Sequence, residues 1–203
     1  MLEDNAANVA QILDFWFGPM TAEGMPLQDR NSVWFNGGEA VDAEVRQRFG
    51  ADVERALAGE LGVWQLEANG LVALTLLLDQ FTRNIYRGTS DAFSGDSQAL
   101  ALAKSAVDRG ADTALPTIYR VFVYTPFQHA ENTADQALGV ALMQHLLDRC
   151  PDSAQRYVAN SLRFFRAHLE VIEQFGRFPH RNAALGRTSS AAEIAFMNTH
   201  AGF

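Results

Sequence analysis

The segment LVALTLLLDQFTRNIYR, residues 71–87, decides the fold class because it joins an apolar run to a polar end. Between Leu71 and Phe81 the apolar residues lie all round a helix instead of forming one stripe, which is typical of a helix buried on every side. The polar end carries four side chains that can pair or bind a ligand: Asp79, Gln80, Arg83 and Arg87. The segment therefore predicts a buried helix that leads into a polar loop.

Helical spacing of apolar residues recurs along most of the chain. It begins with four residues at three- and four-residue intervals: Val9, Ile12, Leu13 and Trp16. Further helices are expected after an N-cap at Asp96, from Pro116 to Val123 with Pro126 as a stop, over 132–149, over 153–175, and after a capping box of Ser190 and Glu193. No stretch alternates strictly between apolar and polar residues over the length of a strand. The chain is thus predicted to be all-α, with about eight helices in one domain, residues 1–203.

The sequence contains an internal echo. Shifting it by 94 residues places LDQFTRNIYR, residues 78–87, on IEQFGRFPHR, residues 172–181. The two segments share the pattern QF-x-R-x-x-x-R, and a predicted helix start follows each at the same distance. Residues 71–108 are therefore predicted to be echoed by residues 165–202. A repeated helix pair of this kind is typical of solenoid-like arrays and pseudo-symmetric bundles.

Three blocks of the sequence resemble those of a known family. LLLDQFTRNIYRGT, YTPFQHAEN and FGRFPHRNAALGR, in this order and spacing, are similar to the signature blocks of a widespread bacterial family known only as a domain of unknown function. The resemblance extends from ILDFWFG, residues 12–18, to the last predicted helix. It implies a tetratricopeptide-like fold, as a right-handed helical array or a pseudo-symmetric bundle, and it implies no established activity.

Composition and charge narrow the classes of function. Apolar residues make up 48% of the 203 residues and charged residues 20%, as expected of a folded globular domain. The net charge of −8 is unfavourable for nucleic-acid binding, which needs a broad basic face. The start MLEDNAANVAQ does not resemble a secretion signal, the longest apolar stretch is too short to cross a bilayer, and Cys150 is the only cysteine. A cytoplasmic protein with neither nucleic-acid nor membrane partners is expected.

Two acid–arginine pairs occur at the i, i+4 spacing of a helix, Asp79 with Arg83 and Glu173 with Arg177. Ion pairs at helix ends account for these four residues. They do not account for a further set of polar residues: Gln80, Gln174, Arg87, Arg181 and Arg187. If the two QF-x-R-x-x-x-R segments meet in space, up to five guanidiniums converge, and they need either protein carboxylates or a small anionic ligand to compensate their charge.

Four residues are candidate acid–base groups: His129, Glu131, His168 and His180. The H-x-E spacing in PFQHAEN is that of a base and its orienting carboxylate, although an acid is also favoured near the start of a helix by the helix dipole. His168 lies on or beside the apolar face of the helix over 153–175, which is also typical of a hydrogen-bonded core histidine. His180 precedes Arg181, whose charge lowers the pKa of a neighbouring imidazole.

These observations lead to two hypotheses of function. The first is a polar cleft that binds a small anionic molecule through its arginines, with proton transfer by the acid–base candidates. The alternative is a tetratricopeptide-like module that binds a protein or peptide, in which the arginine loops only lock helices together. The sequence contains no Glu-x-x-His pair, no H-E-x-x-H, no glycine-rich phosphate loop and no nucleophile elbow, so neither a metal nor a cofactor is expected. It does not indicate whether the protein is an enzyme, nor its oligomeric state.

Overall fold

The computed structural model describes residues 2–35 and 37–199 and confirms the all-α prediction. Within these ranges the regular structure is helical apart from one isolated β-bridge between Met20 and Pro26. The α-helices are α1 Leu2–Phe17, α2 Asn31–Trp34, α3 Gly38–Leu57, α4 Ala68–Thr75, α5 Thr82–Ile85, α6 Asp96–Asp108, α7 Thr117–His129, α8 Thr133–Leu147, α9 Asp152–Phe175 and α10 Ala191–Thr199. A π-helical segment spans Leu76–Phe81, and 3-10 helices span Gly62–Leu66, Ser90–Phe93 and Pro179–Arg181.

The finer features of the predicted architecture stay predictions. These are the tetratricopeptide-like arrangement and the echo of residues 71–108 in residues 165–202, of which 200–202 lie outside the described residues. None of the helices in the described ranges has both the length and the apolar character needed to cross a membrane.

The central helix is built from α4, the π-helical segment and α5. Residues 70–79 are all buried, as predicted for a helix that is apolar on every side. The helix α4 packs against α1, α6 and α7, and the π-helical segment packs against α3, α6 and α7. A π-helix is rare and often occurs at functional sites. In this protein it contains Asp79, a charged residue with no exposed surface.

Aromatic side chains fix the central helix against its neighbours. The ring of Trp16, on α1, lies 5.4 Å from that of Phe81 and 5.7 Å from that of Phe122, on α7. Phe17 is also 5.3 Å from Phe122. Tilted and edge-to-face pairs at these distances add to the free energy gained by burying the rings. The position of α7 relative to the π-helical segment is therefore set by the core.

The prediction that a helix ends before Pro126 is wrong, because α7 continues to His129. Proline has no N–H group and leaves the carbonyl oxygen of Phe122 without its usual helical donor. The hydroxyl of Thr125 lies 2.7 Å from that oxygen and takes the place of the missing donor. Because the helix continues past the proline, His129 occupies its last turn.

The two predicted helix caps have different outcomes. Ser190 and Glu193 form the expected capping box: the N–H of Ser190 donates to Glu193 Oε2 at 2.7 Å, and the N–H of Glu193 donates to Ser190 Oγ at 3.2 Å. The prediction that Asp96 is an N-cap is wrong. Gly95 occupies the cap position of α6, and Asp96 is the first helical residue, with its carboxylate turned to arginines instead of to the helix.

We expect Gly95→Ala to destabilise the protein, because α6 begins against the π-helical segment at this glycine. A Cβ atom at Gly95 would lie 2.1 Å from the carbonyl oxygen of Leu78, so the two backbones would have to separate. Urea denaturation should give a free energy of unfolding lower by roughly 2 kcal/mol or more. The control is Gly50→Ala, inside α3. A Cβ atom there would meet no atom within 4 Å, so the free energy of unfolding should rise by about 0.5–1 kcal/mol. Equal effects of the two substitutions would contradict this account.

Candidate functional site

The site is built around the buried carboxylate of Asp79. Oδ1 accepts a hydrogen bond from His129 Nδ1 at 2.7 Å and lies 3.4 Å from Arg83 Nη1. Oδ2 is 2.6 Å from the Gln80 amide nitrogen and 2.9 Å from the hydroxyl of Thr125, whose single proton serves either this carboxylate or the Phe122 carbonyl. Burial alone would raise the pKa of Asp79, but the positive charges and hydrogen bonds around it prevail and hold the pKa well below its usual range. Asp79 is therefore ionised at neutral pH.

His129 is held by Asp79 in one orientation. Since Nδ1 donates to the carboxylate, Nε2 carries the lone pair of the neutral ring. Burial and the charge of Arg83 lower the pKa of His129, although Asp79 opposes them. The side chain keeps 15% of its surface exposed, and within the described residues no group is hydrogen-bonded to Nε2. At neutral pH this nitrogen can accept a proton.

Glu131 does not orient His129; the structure assigns that role to Asp79. The carboxylate of Glu131 binds Arg187 at 2.7 and 3.0 Å and accepts the N–H of Phe178 at 2.8 Å. Partial burial would raise the pKa of Glu131, but these bonds, led by that of Arg187, lower it. Glu131 thus fastens the loop after α9 to the start of α8.

Arg83 and Arg181, one from each QF-x-R-x-x-x-R segment, meet at Asp96. Arg83 lies 2.8 and 3.1 Å from the two oxygens of Asp96, and Arg181 Nη1 lies 3.0 Å from Oδ2. The expected ion pair of Arg83 with Asp79 is also present, at 3.4 Å. One bridging carboxylate therefore brings together two of the predicted guanidiniums.

The guanidinium of Arg181 is enclosed by the protein. Its central carbon lies 4.7 Å from the ring centre of Phe93 and 4.5 Å from that of Phe178. Nη2 donates to the backbone carbonyl of His129 at 3.0 Å, which ties the loop after α9 to the end of α7. Only 6% of the residue is exposed. Burial lowers the pKa of Arg181 to about 10, although Asp96 partly opposes the shift, so the group stays charged.

The other predicted arginines lie apart and pair with separate carboxylates. Arg87 binds Asp42, on α3, at 2.6 and 2.8 Å. Arg177 binds Glu193, in α10, at 2.7 and 2.9 Å, and these hydrogen bonds hold the pKa of Glu193 well below its usual range. The predicted convergence of five guanidiniums is therefore limited to Arg83 and Arg181.

The second predicted acid–arginine pair does not form. Gly176 adopts a left-handed conformation, φ 70°, and ends α9 at Phe175. Arg177 consequently lies outside the helix, where the i, i+4 spacing from Glu173 no longer places the side chains together. Glu173 and Gln174 are both exposed at the end of α9. The two predicted glutamines have different surroundings: Gln80 binds Asp79, and Gln174 lines a depression between α9 and α10.

His168 and His180 both contact the buried ring of Phe178. Each imidazole is 5.5 Å from that ring, and His168 is 6.4 Å from the ring of His129. His168 Nδ1 donates to the carbonyl of Phe164 at 2.8 Å, and the amide of Gln128 lies 3.3 Å from its Nε2. Burial lowers the pKa of His168 to about 3, so this ring is neutral at physiological pH. The structure therefore places all three predicted histidines in one region.

Two surface depressions lie away from this region. One, of about 640 Å³, is lined by residues of α9 and α10 and includes Gln174. The other, of about 520 Å³, lies between α3 and α5 beside Arg87. Neither is lined by His129, Arg83 or Arg181. Among the residues that the structure describes, no three His, Cys, Asp or Glu side chains are grouped so that they could hold a metal ion.

Sequence patterns do not indicate several residues of the site. Asp96 is predicted only as a helix cap, and no spacing pattern gives a role to Thr125, Phe93 or Phe178. None of them forms a spacing pattern with the residues it contacts, since the contacts join separate helices and loops. One feature of the sequence does indicate a role for Thr125. It directly precedes a proline within an apolar helical pattern, where a hydroxyl can bind the carbonyl oxygen that the proline leaves without a donor.

The described residues form an all-helical domain that contains a buried carboxylate–histidine pair and arginine–carboxylate bridges. A family model described as "Bacterial protein of unknown function (DUF924)" matches residues 12–201, and the chain belongs to this family. It is similar to the solved structure of a protein of unknown function from Agrobacterium tumefaciens, with 35% identity and a TM-score of 0.80. That similarity covers 97% of this chain and 99% of the other. No curated protein matches the chain. The expected membership in a bacterial family of unknown function is confirmed.

We expect the stability of the protein to decrease as the pH is lowered, because His168 has a lowered pKa in the folded protein. Its pKa is about 3 in the folded protein against 6.5 ordinarily, so between these values the unfolded chain binds more protons. The free energy of unfolding should therefore decrease as the pH falls from about 6.5 towards 4, by up to about 1.4 kcal/mol per pH unit from this group. Urea denaturation at several pH values gives the free energy of unfolding as a function of pH. In His168→Gln the slope of this dependence should be smaller, by an amount that corresponds to at most one proton.

His145→Gln is the control for this measurement. His145 is exposed on α8, with Nδ1 2.8 Å from Arg149, so its replacement should leave the slope nearly unchanged. An unchanged slope in His168→Gln would contradict the assignment of a half-buried, neutral imidazole.

Proposed function

We propose that this protein binds a small anionic molecule beside His129, and that His129 exchanges a proton with it through Nε2. The observation that carries the proposal is the 2.7 Å hydrogen bond from Nδ1 to the buried carboxylate of Asp79. This bond leaves Nε2 as the basic atom of a ring that is partly exposed. A base held in one orientation is what general acid–base chemistry requires.

The burial of Asp79 supports a role beyond packing. An ionised carboxylate loses several kcal/mol of hydration on burial, and it is retained only where hydrogen bonds and charges compensate that loss. An apolar side chain at this position would avoid the loss. The carboxylate, in contrast, orients the imidazole and stabilises its protonated form. The four groups around Asp79 therefore support a site that is prepared for proton transfer.

Some of the predicted residues have a definite part in this proposal. Asp79 orients His129 and Gln80 binds the other oxygen of Asp79, while Arg83 and Arg181 supply positive charge nearby. His168 and His180 are neighbouring imidazoles, and Glu131 positions the loop that carries Arg181. The remaining predicted ligand-binding residues either pair with other carboxylates or are exposed at the end of α9, and they are left out of the proposal: Arg87, Glu173, Gln174 and Arg177.

NMR of ¹⁵N-labelled histidine tests the proposal. At neutral pH His129 should show the Nδ1–H tautomer, and adding millimolar acetate, inorganic phosphate or sulfate should shift its resonances. His145 serves as an internal control, because its imidazole is exposed on α8 and should not respond specifically. His129→Gln should abolish any thermal stabilisation by the same anions while leaving the fold intact. Resonances of His129 that none of the anions shifts would contradict the proposal.

A second candidate function is favoured by the charge pairing of the arginines. The guanidiniums of Arg87, Arg177, Arg181 and Arg187 each have a carboxylate partner from another part of the chain. Such pairing fits loops that hold helices together in a module for protein or peptide binding. The depression between α9 and α10 would then be the place for a peptide.

Arg181→Ala separates the structural role of this residue from a role in binding. If Arg181 mainly joins loops, its removal breaks two buried hydrogen bonds and the contact with two aromatic rings, and stability should fall by roughly 1–3 kcal/mol. Arg55→Ala, which removes a partly exposed pair with Asp52 at i, i+3 and a weaker pair with Glu60, should cost about 0.5–1 kcal/mol at most. If Arg181→Ala instead keeps its melting temperature and loses stabilisation by anions, the binding role is favoured.

A further inference from the structure

The charged groups around His129 balance one another. Two carboxylates, Asp79 and Asp96, face two guanidiniums, Arg83 and Arg181. Arg83 contacts both carboxylates, at 3.4 and 2.8 Å, and Arg181 contacts Asp96 at 3.0 Å. With a neutral imidazole, the four charges sum to zero. The arginines therefore provide no excess of positive charge for an incoming anion.

A neutral His129 is also unsuited to receive an oxyanion. Nδ1 carries the proton and donates it to Asp79, so Nε2 presents a lone pair. A carboxylate or phosphate oxygen at hydrogen-bond distance would place two acceptors opposite each other. When Nε2 binds a proton, it becomes a donor, and the cluster gains one positive charge at the point of contact.

We propose that the site binds a monovalent oxyanion, such as a carboxylate, together with one proton that is taken up by His129 Nε2. This inference rests on the function proposed above and adds the class of ligand and its linkage to pH. The proton comes from solvent, and no covalent bond changes. The ionised Asp79 stabilises the resulting imidazolium through the Nδ1 hydrogen bond.

The other groups that face His129 keep their charge during this step. Asp79 and Arg83 face it from the central helix, Asp96 from α6, and Arg181 from the loop after α9. Asp79, Arg83 and Arg181 stay ionised near neutral pH, and Asp96 is paired with both arginines. The neighbouring imidazoles are His168 from α9 and His180 from the loop.

These two imidazoles stay neutral in the same pH range. Burial lowers the pKa of His168 to about 3. His180 is exposed, but contact of its ring with Phe178 and the charge of Arg181 lower its pKa below the usual value. His129 is thus the group whose protonation accompanies binding.

The test measures acetate binding as a function of pH, with the resonances of His129 as the readout. Above the pKa of His129, the dissociation constant of acetate should rise about tenfold per pH unit, because each bound anion requires one proton. The measured pKa of His129 should rise with acetate concentration, whereas acetate should not shift the resonances of His145, which is exposed on α8.

Asp79→Asn provides the matched variant. Its amide can donate to Nδ1, which moves the ring proton to Nε2, and the loss of one carboxylate leaves the cluster with one positive charge. Acetate should then bind with nearly the same affinity between about pH 6 and pH 8. If this variant does not fold, proton uptake by the unaltered protein, measured by calorimetry in two buffers of different ionisation enthalpy, gives the same information.

The outcomes separate the two proposals. A tenfold dependence per pH unit, or the uptake of one proton, supports the linkage. Acetate binding that does not depend on pH in the unaltered protein overturns the linkage and leaves the proposed function in place. Binding of sulfate without any binding of acetate overturns the assignment to a monovalent ligand. If acetate, phosphate and sulfate all fail to bind at any pH, the proposed function itself fails.

Discussion

The need to hydrogen-bond one fully buried carboxylate, that of Asp79, constrains the centre of this protein. A buried charge is tolerated only when its partners lie close enough to replace water. The partners come from the central helix, as Gln80 and Arg83, and from α7, as Thr125 and His129. The two helices must therefore keep a fixed separation, and the imidazole must keep one orientation.

A second layer of ion pairs holds the C-terminal loop against this centre. Arg181 joins the loop to Asp96 at the start of α6, and Arg187 joins it to Glu131 before α8. Each pair links segments far apart in the chain, and together they use up the positive charge that the sequence suggested for a ligand. For this reason the proposed chemistry of the site depends on an imidazole, whose charge can change, more than on the arginines, whose charge cannot.

Local patterns predicted much of the fold. The apolar run from Leu71 indicated a buried helix, and the spacing of Ser190 and Glu193 indicated a capping box, because both depend on neighbours within one or two helical turns. The errors arose where a side chain replaced a local interaction. The Thr125 hydroxyl satisfies the carbonyl freed by Pro126, and Asp96 binds arginines instead of capping its helix. The π-helical geometry around Asp79 left no signal in the sequence.

By itself, the sequence determined the helical class, most helix positions and the residue types available for chemistry, since these follow from composition and from periodicity over short distances. Only the tertiary structure decided which of those residues meet. His129 lies 50 positions from Asp79, and Arg181 lies 85 positions from Asp96. Glu131 is two positions from His129 and yet binds Arg187. Proximity along the chain does not determine the partner of a buried charge, because that partner is selected by the packing of whole helices.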